Sequence, residues 1–405
     1  MKAAITLSLF FLPFITQANP LVTGEPQQAA GAVYFLTNQA AGNFIVSSAI
    51  GNDGKVSVKG AIYAGGNGGR VRQHNGGDNT TDPLISASSI NVNGNTLYAV
   101  NAASNTIAMF AIDPRDPTAL RPVGNPVNTG GDFPTSISVS NKRNMVCVLN
   151  TGTRNGISCF KPSAAKGLVA IPNTTRSLHL NQTSPPTQVA GQTLGHVLFD
   201  ESETKIMATV QAVDATGRGF LAVWDVNPST AAIANDFRQL HVNGSSLPFG
   251  MAVLPGKNGV LVADPAFGYE TYDLSGRGRG GMFPVPGEGT TCWVVVSEKT
   301  KNVYIVDPIT ALVTEVSVDN NLQSKIVTQH PVPSGSLIID VALATISGND
   351  YLYVLSPGHQ AIEVLSLEGP GKATHIQEMP FAESARKLGA PTTSIQLQGM
   401  TVWTP

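Results

Sequence analysis

Thr96–Asn101 reads TLYAVN, a short apolar run rich in Leu, Tyr and Val that stops on a small polar residue. Degenerate copies recur along the chain: Val33–Asn38, Met145–Asn150, Ile206–Gln211, Gly259–Asp264, Asn302–Asp307 and Tyr351–Ser356. Their ends lie 63, 49, 61, 53, 43 and 49 residues apart. A strand-like unit recurring every ~40–60 residues is how a β-propeller is written, one blade per copy. Seven copies predict an all-β, seven-bladed propeller in one domain.

Working outward from each copy gives the blades. Blade one has three strand-like stretches, Ala32–Asn38, Asn43–Gly51 and Lys55–Ala64, with Asn52-Asp53-Gly54 as a hairpin turn. Its missing innermost strand is expected from Ser394–Trp403 near the C-terminus, which closes the ring and hides its edges. The remaining blades are expected over Leu84–Asn128, Phe133–Leu180, Leu194–Val242, Leu247–Val285, Thr290–Val332 and Leu337–Pro380. Linkers such as Thr183–Thr193 and Ala382–Pro391 are rich in Pro, Gly and Thr, and no helical periodicity is visible.

Composition agrees. The 405 residues include 41 Gly and 27 Pro, as many short strands and turns require, and charged residues are only 13% against about 25% in ordinary globular chains. A net charge of −2 gives no electrostatic reason to expect nucleic acid or anionic membrane as partner. Lys2, the apolar run Ile5–Ile15 and the small residues of Thr16-Gln17-Ala18 predict a signal peptide over 1–18. The mature domain is then 19–405, exported, without a membrane span and expected to be a monomer. Asn79, Asn173, Asn181 and Asn243 head glycosylation sequons, or occur by chance in an Asn- and Thr-rich chain. Cys147 and Cys159 flank a hairpin-like segment, and a disulfide between them suits an oxidising compartment. Cys292 is left over.

The repeat also defines a geometry. An interval of 15 residues separates Ser86 from Asn101, Thr135 from Asn150, His196 from Gln211, Phe249 from Asp264 and Cys292 from Asp307. Blade seven breaks the count through a short insertion at Ile346–Asp350. These positions are the start of a first strand and the end of a second, so they should ring one mouth of the channel, where blades converge on a ligand. His196 is the expected acid–base group, because an imidazole titrates near neutrality. Asp264 would support it, and Asn101, Asn150, Gln211 and Asp307, with Asn38, would face the substrate. The competing reading is that Asp and Asn at strand ends cap turns through the backbone.

Other patterns carry less. Gly276–Gly281 matches GxGxxG but opens no helix, so no dinucleotide cofactor is expected. Gly65–Arg70 is a glycine-rich loop whose Arg70, like Arg72, has no assigned direction. Asp113–Pro117 lacks the alternating oxygen ligands of a calcium loop, and no HExxH or Cys/His spacing suggests a metal.

Thr193–Thr204 (TLGHVLFDESET) with Ile206–Val210, Asn95–Asn101 (NTLYAVN) and Phe133–Ser140 (FPTSISVS) resembles the seven-bladed lactonase superfamily. The branch it looks most like is the secreted fungal 3-carboxymuconate cyclase-like proteins. The resemblance implies a propeller that forms or opens a lactone, as an intramolecular lyase (isomerase) or a lactone hydrolase. It also implies a channel site of histidine, carboxylate and arginines. His196 falls on the family histidine, and Asp264 where a glutamate is expected. Leu247–Gly250 and Thr290–Trp293 stand where basic residues are expected, so the clamp for a tricarboxylate is missing. Two readings follow. One is an exported lactonase/cyclase-like enzyme acting on a small carboxylate or lactone. The other is a non-catalytic secreted glycoprotein, a surface or matrix binding protein or antigen, on a reused propeller.

Overall fold

The computed structural model describes residue 1 and residues 28–72, 80–188, 193–212 and 217–405. The expected leader beyond Met1 and the sequon asparagine Asn79 lie outside the described residues. Within them, seven antiparallel sheets form the blades of a propeller. The innermost strands touch one another in a ring: Ile90–Asn93, Pro134–Ser140, Leu194–Phe199, Met251–Leu254, Trp293–Val296, Ile339–Ile346 and Gln398–Trp403. The last of these pairs with Gly31–Leu36 of blade one, Val33 opposite Val402 and Ala32 opposite Trp403. The ring is thus closed by the C-terminal strand.

The recurring runs are the second strands. Met145–Asn150 and Gly259–Asp264 are buried at every position, and Thr96–Asn101 at all but its first. Each lies mid-sheet with a neighbouring blade over both faces, so its sequence is continuously apolar rather than alternating. Outer strands such as Ser324–Pro331 and Lys372–Pro380 mix exposed and buried positions. Cys147 and Cys159 face each other across Met145–Asn150 and Gly156–Ser163 and are joined by a disulfide. Cys292 is buried and unpaired.

Two sequence expectations are sharpened by the structure. The short insertion of blade seven is taken up in the strands of a hairpin rather than in a loop. Ile339–Ile346 and Asn349–Ser356 are a hairpin of two longer strands, turned through Ser347 and Gly348, both at positive φ as a tight two-residue turn requires. The segment after blade seven is not purely a linker either, because Ala382–Lys387 is a one-and-a-half-turn helix. It is too short to announce itself by periodicity. It is fixed by buried Ala385 and by the preceding Phe381, whose ring centroid lies 4.4 Å from that of Phe35.

The innermost strands are irregular where they enter the channel. Register shifts occur at Pro134/Ser136 opposite Asn150, between Leu194 and Val197, between Ile339 and Val341, and at Gln398/Met400. Bulges re-aim a side chain out of the ladder. Two of them carry His196 and Asp340.

Candidate functional site

The channel holds two spaces. A mouth pocket of about 260 Å³ is lined by Asp82, Gln188, Gln211, Thr290, Phe249 and Trp293, with Pro265, Pro308 and Ile309 on its rim. A deeper cavity of about 190 Å³ is lined by His196, Asn91, Met251, Asp340 and Met400. Trp293 is a wall of both. Its ring meets Phe249 edge-on, centroids 5.5 Å apart at 87°, and its Nε1 donates to the Ser86 carbonyl at 3.1 Å. This fixed aromatic pair partitions the channel.

The expected site residues fall into different places. Gln211 lines the mouth pocket, with its Oε1 accepting from the Thr193 hydroxyl, which leaves its amide donors to the pocket. Asp264 is fully buried and binds backbone: Oδ2 accepts from Ser246 N at 3.0 Å and Leu247 N at 3.1 Å, Oδ1 from Ala266 N at 2.9 Å. Asp307 does the same in the next blade, accepting from Gly289, Thr290, Ile309 and Thr310 N at 2.7–3.1 Å. Asn101 donates to the Ala64 carbonyl at 2.9 Å and accepts from Asn43 Nδ2 at 3.1 Å. Asn38 exchanges two bonds with the backbone of Gly69. Asn150 donates to Ser158 Oγ at 3.2 Å, while its buried Oδ1 has no partner. These groups tie blade loops together in the way strand-end Asp and Asn do.

His196 lies below the partition. Its Nδ1 accepts from Met251 N at 2.9 Å, which places the proton of the neutral ring on Nε2. Burial pushes its pKa down to about 3, so the ring is neutral across the physiological range. It is separated from Asp264, which lines neither space.

The group that the 15-residue interval misses is Asp82, on the segment entering blade two. Its Oδ1 accepts from Ser86 N at 3.3 Å, and it is reached from the mouth pocket. Asp82, Ile85 and Ser88 all hold positive φ, 57°, 48° and 63°. Left-handed backbone at three non-glycine residues in seven is strain of the kind that gathers at functional sites. Asp340, on the other side of the partition, accepts from Gln398 Nε2 at 3.1 Å and Gly399 N at 2.6 Å. Gln398 Nε2 also donates to the Ser86 carbonyl at 3.0 Å, and its Oε1 accepts from Leu84 N at 3.1 Å. One glutamine of the closing strand therefore ties the Asp340 carboxyl to the Leu84–Ser86 segment that follows Asp82. Desolvation is the main cause that raises both: Asp82 to about 7, with Gln398, backbone donors and the Arg70 charge opposing, and Asp340 well above the usual range, helped by the Asp82 charge. Arg70 itself donates from Nη1 to the Thr80 carbonyl at 3.0 Å beside the mouth. The signal for Asp340 was in the sequence, since a lone acid inside the apolar run Leu337–Ile346 is costly unless used.

This fold and site define a propeller with a small acidic mouth pocket. The profile of the family described as "Lactonase, 7-bladed beta-propeller" matches residues 28–180, blades one to three. The match covers well under half of the chain. No curated protein sequence matches it. Among solved structures, a putative 6-phosphogluconolactonase of Bacteroides fragilis superposes with TM-score 0.59 at 13% identity, covering 92% of this chain and 98% of the other. The periplasmic gluconolactonase of Pseudomonas aeruginosa gives 0.62 at 14% identity, covering 93% and 99%. At these identities the likeness shows the shared propeller fold. Among the described residues no helix is long and apolar enough to cross a membrane.

Proposed function

We propose that the protein is a lactonase-like enzyme that opens or forms a small lactone in the mouth pocket, with Asp82 as the acid–base group. The observation that carries this reading is a carboxyl group that lines the mouth pocket on left-handed backbone, where desolvation raises its pKa to about 7. A base poised near the working pH is the most effective one. In the opening direction, ionised Asp82 takes a proton from water as the water oxygen adds to the lactone carbonyl. The ring C–O bond then breaks, and the same carboxylic acid returns the proton to the leaving alkoxide. Gln211, Gln188 and Thr290 line the same pocket and in this reading donate to the ring oxygens. No Lys or Arg lines the described pocket, which suits a neutral or singly charged lactone better than the carboxymuconate that the sequence resemblance implies.

The test is a panel of γ- and δ-lactones and muconates assayed with wild type, Asp82→Asn and His196→Ala. This reading expects Asp82→Asn to lower kcat by ~10²–10⁴-fold while His196→Ala retains most of it. Loss confined to His196→Ala would return the acid–base role to the histidine. No turnover by the wild type on any substrate would favour the binding-protein reading.

Export belongs to the same proposal. Asn173, Asn181 and Asn243 sit at exposed positions, as glycan acceptors must. A mass decrease of the protein produced in a eukaryotic secretory host on glycosidase treatment is expected, and an unchanged mass would remove glycosylation from the account.

A further inference from the structure

Blade seven carries a cluster that the channel chemistry does not use. Glu363 in strand Ala361–Gly369 and Glu378 in strand Lys372–Pro380 are direct cross-strand partners. Like charges directly opposite each other destabilise a sheet, and among the described residues the charged side chains paired with these two are histidines. His359, in the turn before Glu363, brings Nδ1 to 3.4 Å from Glu378 Oε2 and 4.0 Å from Glu363 Oε1. The Glu363 side chain is fully buried, yet its Oε1 has no hydrogen-bond partner, and neither has His359 Nδ1. A buried carboxylate oxygen left unpaired is expensive, and here the two orphaned atoms face each other.

We propose that His359, Glu363 and Glu378 bind a zinc ion. The three ligand atoms all lie within 4.8 Å of one another. A tetrahedral zinc with bonds of ~2.0–2.2 Å sets its ligands about 3.4 Å apart, the spacing His359 and Glu378 already have, so only Glu363 must close in slightly. One imidazole and two carboxylates suit zinc and leave the fourth position to water. The His359 and Glu378 side chains are 29% and 38% exposed, so the site lies near solvent although His359 Nδ1 and Glu363 Oε1 are themselves buried. His375 supplies the supporting contact: its Nε2 lies 2.8 Å from Glu363 Oε2 and, as donor, holds that carboxylate in place, as outer-shell partners of metal ligands do. The ion would tie the turn at His359 to the outer strand at Glu378 and remove the repulsion between the two glutamates.

The experiment is calorimetric titration of Zn²⁺ into the full, untagged, metal-stripped protein, with Co²⁺ as a spectroscopic probe. One site of micromolar or tighter affinity is expected, with a Tm that rises with zinc and a tetrahedral Co²⁺ spectrum. His359→Ala and Glu378→Gln should each weaken it by about 100-fold or more, while Asp82→Asn leaves it unchanged. Glu378→Gln keeps shape at a half-exposed position, so it reads binding without unfolding the blade. Absence of binding at millimolar zinc, or affinity unchanged in both variants, overturns the site.

Discussion

Asp82, half-buried at the mouth, and His196, buried beneath it, are titratable groups shifted in opposite directions, and the shifts act on stability with opposite signs. The folded pKa of His196 is about 3, below its ordinary 6.5. The unfolded chain therefore binds the extra proton between those values, and stability from this residue falls as pH drops below about 6.5. Asp82 is raised from 3.8 to about 7, so the folded state holds the extra proton, and its contribution grows as pH falls from 7 towards 4. The two oppose each other over the middle of the range, and only their separate removal resolves them. His196→Asn keeps an acceptor for Met251 N and removes the titration. It should flatten the acid side of a plot of urea midpoint against pH relative to wild type, and an unchanged slope would mean that His196 is not held neutral. At this scale the sequence was half legible. His196 was found by repeat position and lies in the channel. Its tuning was not readable, because burial beneath Trp293 and the bond from Met251 N are made by residues 55 and 97 positions away. Asp82 sits on an entry segment with no repeat register, so counting strands passes over it.

At the scale of the element, the second strands were legible because both of their faces are covered, which leaves an unbroken apolar signature. Their terminal residues were legible as polar but not as to purpose. Asp307 ends its strand by collecting four backbone N–H groups from two loops, a role that a mouth-facing substrate ligand would share in sequence. Asp307→Ala orphans those donors at a buried position and should cost ~2–4 kcal/mol of folding stability, read as a lower urea midpoint, with KM little changed. A raised KM at unaltered stability would instead assign Asp307 to the substrate. The blade-seven cluster was invisible because His359, Glu363 and Glu378 are brought together by a turn and a cross-strand register. The spacing His-x3-Glu-x14-Glu matches no metal motif, and local spacing does not report a cluster assembled by cross-strand register.

At the scale of the molecule, the ring depends on one short strand from the far end of the chain. Gln398–Trp403 pairs with Gly31–Leu36, packs between the inner strands of blades two and seven, and supplies the Gln398 amide that ties Asp340 to the Leu84–Ser86 segment beside Asp82. Closure of the ring and the positioning of the segment that carries Asp82 therefore depend on the same strand. A chain ending before Gln398 should lose cooperative unfolding and expose the edge of Gly31–Leu36, a template for aggregation. Gel filtration and thermal melts read this, and a monomer with wild-type Tm would contradict it. Gln398→Leu separates the two functions. It should leave the ring closed but shift the Asp82 titration, since an amide contact that favours the ionised carboxyl is gone.

The central claim is that a carboxyl group at the mouth, rather than the histidine beneath it, carries the proton. The direct measurement is the pH dependence of kcat/KM for the best lactone of the panel, in wild type and in Asp82→Asn. The account predicts a wild-type profile that rises through an apparent pKa of about 7 and a residual activity in Asp82→Asn without that inflection. An Asp82→Asn enzyme with wild-type rate and the same profile would contradict it.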